Sequence, residues 1–261
     1  MPEGVEVQIM SEFINEKSKD KIYKKMSYVE KGNMEIISNE IENFKVSSES
    51  IGKELVLKLT NKENEMKFSV FMGMSGNWKL VPTKEWNNTK FVRMKLDLQD
   101  GWSLILHGGY MGPKFKLNGF NGIKRGPDIV KDFDKFKENV LSNLDRKEFQ
   151  NPICDVLLNQ KYFNGIGAYL NSEIVGRLDI NPFRKFNSLS TKELEDIFNM
   201  ILKCHTESYN LGGGELRDWK NPFKKSRTHE WIKFYGNKNT CFKQKFGKRN
   251  IWINKKWKLP K

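Results

Sequence analysis

The spacing of apolar residues changes character near residue 120, and this change constrains the fold more than any other feature of the chain. Before it, apolar and polar side chains alternate, the period of a half-buried strand. Leu55, Leu57 and Leu59 alternate with Val56 and Lys58, and Val92, Met94, Leu96 and Leu98 alternate with Arg93, Lys95 and Asp97. The segments 66–72, 77–81 and 102–107 also read as extended. One helix leads these strands, over residues 3 to about 17, with Ile9, Phe13 and Ile14 as its apolar stripe and Glu3 and Glu6 at the positive end of its dipole. Beyond Gly119, Gly122 and Gly126, which mark a linker, helical spacing takes over in 132–143, 152–160, 167–177 and 190–209. The last of these is the clearest. Ser190 and Glu193 make a capping box, and Leu194, Ile197, Phe198, Ile201 and Leu202 share one face. The expected fold class is α+β: an N-terminal helix plus a two-layer β-sandwich over 1–120, a linker over 121–130, a helical domain over 131–222, and a small module over 223–261.

Charge separates that last module from the rest. The 261 residues carry a formal net charge of +14. Residues 217–261 hold 15 Lys/Arg against Asp218 and Glu230, a net of +13, so the first 216 residues are nearly neutral at +1. Trp219, Phe223, Trp231, Phe234, Tyr235, Phe242, Phe246, Trp252 and Trp257 are interleaved with the basic residues. A basic arm without aromatics reads as disordered, whereas this one reads as a folded module that binds phosphates. No apolar run approaches the ~20 residues that span a bilayer, and no basic region followed by an apolar stretch marks a secretory signal. Cys154, Cys204 and Cys241 are odd in number and far apart, which fits a reducing compartment without a disulfide framework. Nucleus, cytoplasm and viral factory all fit.

The chemistry is expected at the start of the chain, Met1-Pro2-Glu3-Gly4. A Pro after the initiator Met is normally uncovered when that Met is removed. On its own Met-Pro is also an ordinary start. An α-amino group titrates at about 7.7–8.0, so a useful fraction is an unprotonated nucleophile at neutral pH. Such an amine attacks carbonyl-like carbon to give a Schiff base. Glu3, one residue away, can give or take a proton in the same site.

Gly165-Ile166-Gly167 lies between two predicted helices. Its glycines allow a tight turn and a close approach to phosphate, although a bare G-x-G also serves as a plain helix–helix turn. With the motifs around it, the chain resembles the formamidopyrimidine-DNA glycosylase/endonuclease VIII family over nearly its full length. Pro2-Glu3-Gly4-Val5-Glu6 resembles the family's opening, departing at Val5. Ile51-Gly52-Lys53-Glu54-Leu55 resembles a strand bearing a phosphate-binding lysine. Met72-Gly73-Met74-Ser75-Gly76 resembles the family's Leu-Gly-Met-Ser-Gly turn. The stretch from Lys161 to Glu173 resembles its helix-two-turn-helix, Leu211 to Asp218 its loop over the base pocket, and Tyr235 to Trp252 its C-terminal finger.

The resemblance implies a base-excision-repair DNA glycosylase with AP lyase activity on oxidised bases. Pro2 attacks the sugar C1′, Glu3 moves protons, and β- and δ-elimination cut the strand. No cofactor is needed, because the amine is itself the electron sink. Lys53 binds a phosphate beside the lesion, although by itself it is an ordinary solvated strand lysine. Glu6 anchors the N-terminus, tunes its proton or favours the helix dipole. Glu173 and Arg217 belong to the matching helix and loop as supporting residues. Lys161, Gly165 and Gly167 offer DNA contacts, the backbone donors of 165–167 being available to phosphate. Ala168 stands where the family has a phosphate-binding Asn. Extruding a base leaves a vacancy that an inserted side chain fills. Met74 matches that position, although its spacing equally suits a core Met. Tyr110 and Met111 fall where the family has Arg and Phe, which predicts weak opposite-base preference or use of single-stranded and bubble DNA.

A four-cysteine zinc ribbon needs two Cys-x-x-Cys pairs. The corresponding positions here are Cys241, Gln244, Asn254 and Trp257, so a zincless β-hairpin finger is expected, with Phe242, Phe246, Trp252 and Trp257 as its core and no metal. Arg249 matches the finger arginine that grips phosphates, although it is also one more member of a basic face. The expected partner is damaged DNA, duplex, single-stranded or bubble, bound by a monomer with no role for a membrane. Whether purine or pyrimidine lesions are preferred stays open. Two other readings use the same features: a non-catalytic damaged-DNA-binding protein of this lineage, marked by Val5, Tyr110, Met111 and Ala168, and a structural RNA-binding protein.

Overall fold

The structure is a computed structural model that describes residues 2–30, 33–35, 41–109, 111–119, 124–216 and 219–258. The chain forms two compact units, Met1–Ile123 with Gly213–Ser226, and Lys124–Gly212 with Arg227–Lys261. Residues 213–226, which the sequence pattern grouped with the helices and the basic module, thus return to the first unit. Among the described residues no helix is long and apolar enough to cross a membrane.

The first unit opens with α1 (Gly4–Ser18) and continues, among the described residues, as nine strands: β1 (Tyr23–Glu30), β2 (Asn33–Glu35), β3 (Lys45–Ile51), β4 (Glu54–Thr60), β5 (Glu65–Phe71), β6 (Asn77–Pro82), β7 (Val92–Leu98), β8 (Trp102–His107) and β9 (Lys114–Leu117). They make two antiparallel sheets, ordered β2-β1-β7-β8-β6 and β3-β4-β5-β9. The alternation read from sequence is the alternation of burial. In β4, Leu55, Leu57 and Leu59 are buried, and in β7, Val92, Met94, Leu96 and Leu98 are. Tyr28 of one sheet meets Phe68 and Phe115 of the other edge-on, at ring separations of 6.3 and 5.3 Å. These contacts close the sandwich.

Strands β1, β3 and β9 carry no clean apolar alternation and escape the sequence pattern. β3, Lys-Val-Ser-Ser-Glu-Ser-Ile, is an edge strand that is mostly polar. Helix α1 satisfies it. Asn15 donates to the Ser48 carbonyl at 2.9 Å and accepts from the Ser48 N–H at 2.7 Å, so one amide stands in for a neighbouring strand and blunts the edge.

The second unit contains α2 (Phe133–Leu141), α3 (Ile153–Leu157), α4 (Ala168–Leu178) and α5 (Thr191–Asn210), followed by a hairpin of β10 (Cys241–Phe246) and β11 (Arg249–Asn254). The capping box at Ser190 and Glu193 is present. The core is aromatic. Phe136, Phe163, Phe186, Phe149, Tyr162 and Phe198 form a chain of ring contacts with centroids 4.6 to 5.6 Å apart.

His205 of α5 is buried in this unit, and burial pushes its pKa down to about 4, against a weaker opposing pull from Asp128. The unfolded chain takes up this proton near pH 6.5 and the folded chain only near pH 4. Its contribution to stability is therefore complete above pH 6.5 and is lost as pH falls from there to 4, a change on the order of 3 kcal/mol. Urea unfolding across this range should show the loss, and His205→Asn should lessen the slope, leaving the part that His107, also held down to about 4 by burial, contributes.

Candidate active site

The N-terminus of α1 is built by two glutamates. Glu3 is the N-cap, with φ −107° and ψ −171°, and its carboxylate accepts the backbone N–H of Glu6, while the Glu6 carboxylate accepts the N–H of Glu3 at 2.6 Å. This reciprocal capping box satisfies donors that the first helical turn leaves orphaned. Pro2, Glu3 and Glu6 are all buried. The second oxygen of Glu6 accepts the N–H of Gly214 at 2.8 Å. Gly213 sits at φ +84°, and a Cβ there would lie 3.0 Å from Glu6 Oε1 and 3.2 Å from Ile9 Cδ1, so the glycine permits this approach. Glu6 thus holds two backbone N–H groups, one on each side of its carboxylate. Sequence reasoning missed that the glycine run is its partner, because the two are 208 residues apart.

Lys53 lies in the two-residue turn between β3 and β4 rather than within a strand. Ile51 pairs with Glu54, and Gly52 takes φ +56° to reverse the chain. Met74 is half-buried in the turn after β5, while its neighbour Met72 is the core residue. The Met74 N–H donates to the carbonyl of Met111 at 2.8 Å. A Cβ on Gly73 would come within 2.3 Å of the Met111 and Gly112 carbonyls, so only glycine lets the two loops meet. The structure therefore brings together Met74 and Met111, two residues read separately from the sequence. Tyr110 and Arg217 lie outside the described residues.

In the second unit, the segment from α3 to α4 is held by amide side chains that sequence reasoning passed over. Gln160 donates to the Leu158 and Ile166 carbonyls and accepts the Gly165 N–H at 3.1 Å. Asn164 is fully buried and donates to the Gly126 carbonyl at 2.9 Å. Gly165 holds φ +124° and Gly167 caps α4. The expectation that the donors of 165–167 stand open to phosphate is corrected for Gly165 and Ile166. The Gly165 N–H is taken by Gln160, and the Ile166 N–H points to the Phe163 carbonyl at 3.3 Å. The Lys161 ammonium stands 3.7 Å from Glu148 and 5.1 Å from the centre of the Tyr162 ring.

Glu173 has no solvent exposure. Its carboxylate gathers the N–H groups of Lys233, Phe234 and Tyr235 at 2.8 to 3.1 Å and the Arg177 guanidinium at 3.3 Å. Arg177 also donates to Glu207 and to the Trp231 carbonyl. One helix face thus carries the segment leading into the hairpin. Ser172 on the same helix accepts the Trp252 N–H at 3.0 Å.

Within the hairpin, Gly247 and Lys248 form the turn, and Arg249 is exposed as the first residue of β11. The expected core is corrected in part. Phe246 is buried, but Phe242, Trp252 and Trp257 are only half-buried, and Cys241, Ile251 and Ile253 complete the core. For Trp252 the reason is register. Phe246 and Ile251 share the inner face with Ile253, while Trp252 shares the other with Lys243, whose ammonium lies 5.3 Å from its ring centre. Cys241 faces Asn254 across the pair, and burial pushes its thiol pKa up. One thiol, two amides and an indole do not fit a zinc site. Among the described residues no group of three or more His, Cys, Asp and Glu is arranged to hold a metal ion.

Residues 1–109 match the formamidopyrimidine-DNA glycosylase N-terminal domain. Endonuclease 8-like 1 of Homo sapiens is 31% identical over 284 residues, covering 97% of this chain and 72% of that protein. Endonuclease 8-like 1 of Mus musculus is 34% identical over 203 residues, 71% of this chain and 50% of the mouse protein. The fold is that of MutM (Fpg) from Thermus thermophilus, at a TM-score of 0.79 and 19% identity over 97% of each chain. It is equally that of a Lactococcus lactis FPG mutant in complex with Fapy-dG containing DNA, at a TM-score of 0.80 and 17% identity over 97% of this chain and 98% of that one. The chain belongs to the formamidopyrimidine-DNA glycosylase/endonuclease VIII family.

Glu6→Ala leaves the N–H groups of Glu3 and Gly214 buried without acceptors. A loss of about 2–4 kcal/mol is expected, measurable by urea unfolding, with Glu6→Gln losing roughly half as much.

Proposed function

We propose that this chain excises oxidised bases from DNA and cuts the strand at the resulting abasic site, with Pro2 as nucleophile and Glu3 as acid/base. The observation that carries the assignment of roles is the buried capping box, which fixes Glu3 beside Pro2 at the head of α1 while Glu6 holds the backbone between them and Gly214. Family membership makes the chain a base-excision-repair DNA glycosylase with lyase chemistry.

Once Met1 is removed, the Pro2 nitrogen is a secondary amine with no substituent beyond the chain. It attacks C1′ of the damaged nucleotide, and the glycosidic C1′–N bond breaks as the base leaves with its electron pair. A proton on the ring oxygen, delivered by Glu3, opens the sugar and yields the iminium. That cation then withdraws electrons as the C2′ proton is lost and the 3′ phosphate departs, and a second elimination releases the 5′ phosphate. Water finally hydrolyses the imine and frees Pro2. The amine does throughout what a cofactor does elsewhere.

Each unit offers its own contacts to DNA. In the first, Lys53 at a hairpin turn binds a phosphate, and Met74 with Met111 enters the vacancy left by the extruded base. Thioether side chains carry no directed donors, so they fill space without reading the opposite base. In the second, Lys161 and the exposed Arg249 bind backbone phosphates. The net charge of +14 supports an affinity that falls steeply with added salt.

Borohydride trapping on DNA with one abasic site tests the chemistry. Protein starting at Pro2 should form a covalent adduct that maps to Pro2. Pro2→Gly should trap less, and protein retaining Met1 should trap none. Absence of an adduct from processed, DNA-binding protein would exclude the lyase. In a separate measurement, the slope of log affinity against log salt should be clearly negative, and Arg249→Ala should make it shallower by about 1.

A further inference from the structure

Two large apolar side chains stand apart in exposure among the described residues: Met111 at 63% and Phe91 at 60%, the other exposed ones lying near 40%. Both occur where the backbone turns left-handed, at φ +56° and +57°. That conformation is uncommon for bulky residues and persists only where surrounding structure imposes it.

The same small region imposes both. The Phe91 carbonyl accepts the N–H of Gly108 at 3.1 Å, and the Met111 carbonyl accepts the N–H of Met74 at 2.8 Å. A Cβ on Gly108 would lie 3.0 Å from the Ser75 carbonyl, so the loop after β8 touches the Met74 turn on one side and Phe91 on the other. Sheet register agrees. His107 pairs with Asn77 of β6 and with Val92 of β7, which places residues 72–76, 91, 108, 109, 111 and 112 at one end of one sheet. Between Val92 and Met94 the ladder slips by a bulge, a device that re-aims side chains next to functional sites. The residue before Phe91, Lys90, is exposed and basic.

We infer that Phe91 is a third member of the wedge, stacking on a base at the helix opening that Met74 and Met111 enter. This rests on the glycosylase reading above. The observations favour bases as its occupant. A bare aromatic face at the same end of the sheet as Met74 and Met111, next to an exposed ammonium, suits a π-surface flanked by phosphate, and every base presents such a face. The ring's task is to hold open a duplex, so it matters where a stacked helix must be kept parted and not where the substrate is already single-stranded.

Three proteins starting at Pro2 test this: the natural sequence, Phe91→Asn and Phe91→Tyr. Asn tolerates left-handed backbone and removes the ring, and Tyr keeps the ring. Each is trapped with borohydride on the same abasic strand, alone and annealed to its complement, at subsaturating protein. Phe91→Asn should lose about tenfold on the duplex, the equivalent of roughly 1.4 kcal/mol of stacking. It should match the natural protein on the single strand, and Phe91→Tyr should match it on both. Equal trapping of duplex by Phe91→Asn, equal loss on both substrates, or failure of Tyr to restore the duplex rate would each overturn the wedge while leaving the lyase reading intact. No adduct from the natural sequence on either substrate would overturn both.

Discussion

One carboxylate organises the first unit. Glu6 lies at the third position of α1 and accepts two N–H groups, one from Glu3 and one from Gly214. The first bond fixes where the helix begins and therefore where Pro2 is held. The second ties that start to a glycine segment from the far end of the chain. Hydrogen bonds to an ionised acceptor are stronger than neutral ones, and removing a buried acceptor strands its donors. The residues proposed to do chemistry thus depend on Glu6 for their position.

The second unit repeats this physics at Glu173, again a buried carboxylate filled by backbone N–H groups. There it fastens the segment 233–235 to α4, and Arg177 on the next turn extends the hold to Trp231 and Glu207. A small hairpin has little core of its own. Zinc is one way to supply the missing stability. This chain supplies it with Phe246, Ile251 and Ile253 on one face of the hairpin and with hydrogen bonds donated to Ser172 and Glu173 of α4. The face turned the other way is left for Lys243, Lys245 and Trp252, a mixture of charge and ring suited to a phosphate backbone.

The loops at one end of the five-stranded sheet follow a different rule. Gly73, Gly108 and Gly112 allow backbone to touch backbone, and this close approach brings the loops that carry Met74, Met111 and Phe91 to one end of the sheet. The surface so formed is apolar and adaptable, with little capacity for directed hydrogen bonds. In the proposed role it would fill a gap in a base stack more readily than it would distinguish one base from another.

The sequence alone determined the elements whose signals are local. Period-two alternation located β4 and β7, helical spacing located α5, and Ser190 with Glu193 marked its start, because each signal lies within a few residues of what it specifies. The order of motifs pointed to the family before any coordinates. What only the tertiary structure decided are the pairings between distant residues: Asn15 completing the polar edge of β3, Glu6 closing on Gly214, Gln160 consuming the donor of Gly165, and Lys53 falling in a turn. The return of residues 213–226 to the first unit belongs with them. Their side chains are polar or absent, so no hydrophobic period announces them, and a hydrogen bond between residues 208 apart leaves no trace in spacing. Period and capping are written in neighbours along the chain, whereas the site is written in neighbours in space.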